Sequence, residues 1–267
     1  MSLSSCENEI DSTMSNDRIT TLDASSPYDE TQARIDLTAI LRWADRQGLS
    51  EGICNHFSLQ LPGTSDQFLL NPQGIHWSEI RASDLIVVNS SGELVKGRHP
   101  AEPTAFFIHS SVHRSRPSAK CVLHAHPPYC TALACIDGGR LEWCSQNSLH
   151  FYGRVAWDDA YNGAALDKDE GDRISSKLAD ADILFMTNHG VLITGEDVAL
   201  AFDDLYYLER AAMTQIMAMS THRPLQMIPA DVCRATREQI AGESDQAYHL
   251  LAAIKRILMR ECPDFIE

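Results

Sequence analysis

The chain of 267 residues has no run of apolar residues long enough to span a bilayer, so no membrane helix is expected. It is also short of positive charge. Lys and Arg total 22 against 37 Asp and Glu, a net charge of −15, which argues against nucleic acid or an anionic membrane as the main partner. Its eight cysteines form no C-x-x-C pair and no regular framework. Scattered thiols in a chain of this length suit a reducing, cytoplasmic setting better than a disulfide scaffold. The first residues, MSLSSCENEIDST, have neither a basic start nor an apolar stretch, so no secretory signal is expected. What remains is ordinary globular material: 44% hydrophobic and 22% charged, enough to build a sizeable core without metal or disulfide staples.

Residues 1–30 hold seven acids, one base (Arg18) and few large apolar groups. They cannot bury enough surface to offset their ordering entropy, and a disordered tail is expected. From Thr31 the spacing of Ala33, Ile35, Leu37, Ile40, Leu41 and Ala44 predicts a helix ending near Gly48. The pattern then turns to strands. His56–Leu61 alternates, Phe68–Leu70 and Leu85–Val88 are short apolar runs, and Ser90-Ser91-Gly92 reads as a hairpin turn into Glu93–Val95. Pro103 suits the first turn of a helix running to about Ser115. Further strands are expected over 119–126, 183–186 and 191–193. A long helix is expected from Val198 to Ser220, and one final helix from about Ala235 to Arg260. Interleaved strands and helices without internal repeat predict one α/β or α+β domain.

The chemistry concentrates in Val122-Leu123-His124-Ala125-His126. Residues i and i+2 of a strand share a face, so two imidazoles can converge on one cation. A pair alone is also compatible with two ordinary polar strand residues. His189, in the turn Asn188-His189-Gly190, is a third candidate ligand, although the same tripeptide makes simple turn chemistry. Glu102 stands just before the expected helix. There it could cap the helix, or serve a metal site as ligand or general base. His109 and His113 are spaced i, i+4: either a second metal site, or one packing residue and one surface residue.

These residues together resemble the class II aldolase/adducin family, whose enzymes include fuculose-phosphate and rhamnulose-phosphate aldolases and ribulose-phosphate 4-epimerase. The resemblance covers about residues 31–220. It rests on Glu51–Ser58, Asn71-Pro72-Gln73-Gly74, Glu102, Arg116-Pro117, the H-x-H pair, Asn188-His189-Gly190, Ala201-Phe202 and Leu208-Glu209. It implies a single three-layer α/β/α domain with a central, mostly antiparallel mixed sheet over 31–220. Residues 221–267 would form a helical extension packing on that domain or on a neighbouring subunit. The resemblance further implies Zn²⁺ on His124, His126 and His189, Glu102 as the catalytic carboxylate, and a homotetramer with active sites between subunits. Asn55, Gln73 and Gly74 map onto the substrate cradle. A tyrosine often donates the proton in the family; Tyr152, Tyr161, Tyr206 and Tyr207 are the candidates.

Phe107–Ser110, Ser145-Gln146, Tyr152–Val155 and Tyr206–Arg210 place the chain nearest the adducin-head-like branch. Adducin itself lacks the metal triad; all three histidines and the glutamate are present here, which favours an enzyme. The family's phosphate-binding hydroxyls are replaced by Gln73, Pro100 and Ala101, so the resemblance points to a non-phosphorylated hydroxy-carbonyl substrate, with Trp77, His56 and His99 nearby. The expected activity is aldolase-type carbon–carbon cleavage through a metal-stabilised enediolate. A decarboxylase of the same fold and an adducin-like binding protein are the alternatives.

Overall fold

A computed structural model describes residues 28–267. The expected tail thus lies almost wholly outside the described residues, and Glu30 already opens the first helix. Helix α1 (Glu30–Arg46) starts where the Asp29 carboxylate accepts the Gln32 N–H at 2.9 Å, and its buried stripe includes Ala33, Leu37, Ile40, Leu41 and Ala44. Strands β1 (His56–Gln60), β2 (Gln67–Leu70), β3 (Ile86–Asn89) and β4 (Leu94–Lys96) come next as a meander. After them stand α2 (Pro103–Ser115), β5 (Cys121–Ala125), α3 (Pro128–Ala134), β6 (Val155–Asp158) and α4 (Lys168–Leu178). The hairpin β7 (Ile183–Met186) and β8 (Gly190–Gly195) leads into α5 (Val198–Met219).

The expected single final helix is two: α6 (Ala230–Ala241) and α7 (Asp245–Glu261). Gly242-Glu243-Ser244 breaks the run, and the Gly242 N–H closes back onto the Glu238 and Gln239 carbonyls. Helices α3 and α4 and strand β6 add to the expected elements.

The eight strands form one mixed sheet in the order β4-β3-β2-β1-β5-β8-β7-β6; every neighbouring pair is antiparallel except β6–β7. Alternation along the strands divides two apolar faces. Leu123, Phe185, Val191 and Ile193 meet residues of α1, α3, α5 and α7 in the larger core. Val122, Leu184 and Leu192 meet Ile108 and Val112 of α2 and Ile174 and Leu178 of α4 on the other side. The result is helices, sheet, helices in three layers, with α7 packed against α1 and α5.

The β1–β5 register places two groups of polar side chains. His56 of β1 lies directly opposite His124 of β5. Ser58 and Val122, two residues along their strands, share that face, which is the one α2 covers.

Candidate functional site

His124, His126 and His189 converge. Their ring centroids are 4.8–5.0 Å apart pairwise, and their candidate ligand atoms lie within 4.8 Å of one another. The backbone arranges this with two devices. His124 lies at the end of β5, with His126 just beyond the strand. His189 stands in the β7–β8 turn, which Asn188 completes in the left-handed region at φ 57°. Gly190 then lets β8 pass close to His126: an added Cβ would lie 2.6 Å from its Cδ2.

The donor set fits a metal ion. His124 Nδ1 donates to the Val191 carbonyl at 3.0 Å, which leaves the Nε2 lone pair free. His126 Nε2 is buried without a partner. Burial, and then repulsion from the neighbouring rings, holds His124 well below the ordinary imidazole range and His189 at about 4. Burial lowers His126 as well, with the Glu51 carboxylate, 4.0 Å from its Nδ1, pulling the other way. Three neutral imidazoles with one orphaned nitrogen are what a zinc-like cation uses.

Glu102 fulfils its capping expectation and more. Its Oε2 accepts the Ala105 N–H at 2.8 Å at the start of α2, the Thr104 hydroxyl, and His56 Nε2 at 3.0 Å. These bonds outweigh partial burial and hold the carboxyl at about 2. The His56 ring stacks on His124 with centroids 5.9 Å apart. One imidazole therefore separates the carboxylate from the triad.

Other residues singled out in the sequence lie at varied distances from this centre. Asn55 is buried at φ 72°; its carbonyl accepts from Asn71 Nδ2, and its side-chain Oδ1 has no partner. Gln73 and Gly74 form an exposed turn, where the Gln73 N–H donates to the Pro100 carbonyl at 3.1 Å. His109 and His113 are both buried, so neither is a surface residue; they share Ser58 Oγ, at 2.6 and 2.8 Å. Trp77 does not belong to the site. It is fully buried in the core against Phe57 at 4.7 Å, because β1 and the 71–80 loop enclose it. His99 lies 3.9 Å from Asp84. Among the four tyrosines, Tyr161 is the one beside the triad, 6.3 Å from His189. Tyr152 packs on Trp143, Tyr207 stacks on His150, and Tyr206 lies beneath Arg210.

Sequence reasoning passed lightly over His56 and missed the internal role of Asn71. Asn71 Oδ1 accepts the Phe57 N–H at 2.8 Å and thereby fixes the entry to β1. The alternation of His56 and Ser58 at the head of a strand was the available signal, since both polar side chains fall on one face.

Comparison with known proteins agrees with this architecture. Residues 35–216 match the Class II Aldolase and Adducin N-terminal domain. A Pseudomonas aeruginosa protein provisionally named an aldolase class 2 protein is 37% identical over 214 residues, covering 80% of this chain and 82% of that one. Human beta-adducin is 33% identical over 198 residues, covering 72% of this chain but 27% of adducin. A crystal structure of an aldolase II superfamily protein from Pseudomonas syringae superimposes with a TM-score of 0.84 at 33% identity, covering 92% of this chain and 98% of that one. The chain belongs to the class II aldolase and adducin family.

Proposed function

We propose that this protein is a metal-dependent carbon–carbon lyase of the aldolase type, acting on a small, non-phosphorylated hydroxy-carbonyl compound. The observation that carries this reading is the adjacency of three neutral, convergent imidazoles to a carboxylate held one ring away. His124, His126 and His189 hold the ion, and the all-imidazole donor set favours Zn²⁺. A divalent ion there supplies a Lewis acid and an electron sink for the carbanion that carbon–carbon cleavage leaves.

The chain's own groups do the rest. Glu102 is ionised at neutral pH and serves as the base that takes the hydroxyl proton as the bond breaks; in the reverse direction the same carboxyl returns it. Of the four tyrosine candidates for the proton donor, Tyr161 is the one whose ring approaches the triad, 6.3 Å from that of His189, and this supports it over Tyr152, Tyr206 and Tyr207.

The 71–74 turn supports an unphosphorylated substrate. Gln73, Pro100 and Ala101 offer no hydroxyl, and the Gln73 N–H is already spent on Pro100. A phosphate dianion would find no hydroxyl and no free Gln73 backbone N–H there, which leaves the Gln73 carboxamide as the one side-chain donor of the three residues. A homotetramer suits the exposed apolar side chains of α5, α6 and α7, namely Met217, Met219, Val232, Tyr248 and Met259, which cyclic closure would cover. A cytoplasmic setting suits the free thiols.

The deciding experiment incubates the zinc-loaded protein with a panel of unphosphorylated hydroxy-ketones and hydroxy-acids and measures aldehyde release and CO₂ release separately. Aldehyde formation that chelation abolishes and zinc restores supports the reading. CO₂ in its place converts the assignment to a decarboxylase. Absence of both, with the apo protein still folded, supports a binding role like adducin's.

A further inference from the structure

The layer between β1 and α2 contains more order than a capping glutamate requires. Every donor that reaches Glu102 goes to Oε2: the Thr104 hydroxyl, the Ala105 N–H and His56 Nε2. An ionised carboxylate only accepts, so His56 must carry its hydrogen on Nε2. Oε1 receives no hydrogen bond from the protein among the described residues.

Behind this contact the hydrogens can be assigned by elimination. His113 Nδ1 lies 2.8 Å from the Ala119 carbonyl, which can only accept, so His113 is the Nδ1–H tautomer. Its Nε2 is then an acceptor, and it takes the Ser58 hydroxyl hydrogen at 2.8 Å. The Ser58 oxygen has its hydrogen committed, so the 2.6 Å contact with His109 Nδ1 is a bond donated by His109. His109 is therefore also Nδ1–H, and its Nε2 is buried without a partner. Both histidines are neutral, since burial keeps His113 at about 4 and His109 well below the ordinary range. Ser58 thus ties two turns of α2 to β1, two residues from His56. Helix α2 carries Glu102 at its start, and β1 carries His56; the Ser58 bridge fixes one against the other.

We infer that His56 is a positioning residue for Glu102: it fills the last donor position on Oε2 and leaves Oε1 as the oxygen that handles the substrate proton. The Ser58–His109–His113 cluster holds the two elements in the register this requires. Without the His56 hydrogen bond only the Thr104 hydroxyl and the Ala105 N–H, both at the helix start, hold Oε2; the carboxylate is restrained from one side and spreads over a wider range of poses. The inference rests on the lyase reading for its kinetic consequence, though not for its geometry.

Two measurements on the full chain test it. At neutral pH, ¹⁵N imidazole correlation spectra should show His56 protonated on Nε2, and His109 and His113 protonated on Nδ1. His56 as the Nδ1–H tautomer overturns the inference, whether or not any substrate has been found. The kinetic arm compares His56→Phe, which keeps a ring and loses the donor, with His56→Gln, which restores an N–H. Loss of one charge-assisted bond predicts that His56→Phe lowers kcat by about 10- to 100-fold with KM nearly unchanged. His56→Gln should return to within a few-fold of the parent at equal zinc content. Equal damage in both variants overturns the positioning role. If His56→Phe fails to fold, Thr104→Val removes another Oε2 donor from the helix side and should lower kcat in the same sense; an unaffected kcat counts against the inference. Correct tautomers in a protein without lyase turnover would sink the proposed function and the proton-handling role of Oε1 with it, and leave standing the positioning of the carboxylate by His56.

Discussion

Gly190 offers the sharpest perturbation of the proposed metal centre, because it is none of the three histidines and its replacement leaves the proposed ligand set unchanged. It opens β8 directly after His189 and lies against the end of β5. A Cβ added there would stand 2.5 Å from the Ala125 carbonyl oxygen and 2.6 Å from Cδ2 of His126, whereas ordinary contact begins at 3.4 Å. Both contacts must be relieved, by roughly 0.9 Å at the oxygen and roughly 0.8 Å at the ring, through movement of the neighbours or of β8 itself. Ala125 is paired with Val191 in the β5–β8 ladder, so the oxygen yields poorly. The imidazole yields more easily, and Cδ2 is bonded to Nε2, the buried nitrogen without a partner. Metal–ligand distances tolerate about 0.2 Å, so the displacement is several times the tolerance.

Gly190→Ala should therefore lose about 10- to 100-fold in zinc affinity, and overpacking should cost the metal-free fold about 1–3 kcal/mol. Gly195→Ala is the control. At the far end of the same strand its Cβ would meet Ala201 at 2.9 Å, so it should lose stability and keep its metal. Competition against a chromophoric chelator reads the affinity, and urea unfolding of the apo proteins reads the stability. Wild-type zinc affinity in Gly190→Ala, or equal loss of affinity in both variants, would refute the reasoning.

Four further outcomes are expected. His126→Ala should lose nearly all its zinc by metal analysis, and full retention would dismiss the ligand assignment. Glu102→Gln should keep zinc and fold while turnover falls by about 10²- to 10⁴-fold, because the amide cannot accept the proton; wild-type turnover would move the base elsewhere. Fuculose-1-phosphate and rhamnulose-1-phosphate should be cleaved negligibly, and a specificity constant of about 10⁴ M⁻¹s⁻¹ or more on either would overturn the unphosphorylated substrate. Acid should destabilise the fold from pH 6.5 downward. His113 titrates at about 4 when folded and near 6.5 when unfolded, so between these values the unfolded chain binds the extra proton. Stability is thus complete above 6.5 and falls by about 1.4 kcal/mol per pH unit for each such proton, and a flat urea midpoint from pH 7 to 5 would contradict this.

How much of the fold could be read beforehand depended on whether local pattern or long-range pairing decided the outcome. Helix α1 was legible because its apolar stripe repeats at helical spacing. Helix α5 was legible for the same reason, with Asp197 as its N-cap. The C-terminal helix was drawn as one because Ala235–Arg260 is mostly helix-forming, and a single Gly242 inside such a run is tolerated as often as it terminates. Strand β6 escaped notice because Val155-Ala156-Trp157-Asp158 is short and half exposed. It is held in the sheet by parallel pairing with Ile183–Met186, a contact that sequence spacing does not reveal. Helix α4 was hidden by its polarity, since Ile174 and Leu178 are the only large apolar side chains it buries.

The same distinction governs the site. His124 and His126 could be paired from spacing alone, since i and i+2 share a face whatever the sheet order. Recruiting His189 from the residues themselves needed a turn far along the chain from β5, and there the family resemblance carried the assignment. His56 fell between these cases. Nothing local distinguishes it from an ordinary strand histidine, because its meaning comes from the β1–β5 register that sets it opposite His124 and from the helix that brings Glu102 to its other side. His109 and His113 show the reverse case. Their i, i+4 spacing looks like a ligand pair, yet the nitrogens are consumed by one serine and one carbonyl, leaving the buried His109 Nε2 alone. Spacing can place side chains on a common face; only the donors and acceptors opposite that face decide whether they bind a metal, move a proton or hold two elements together.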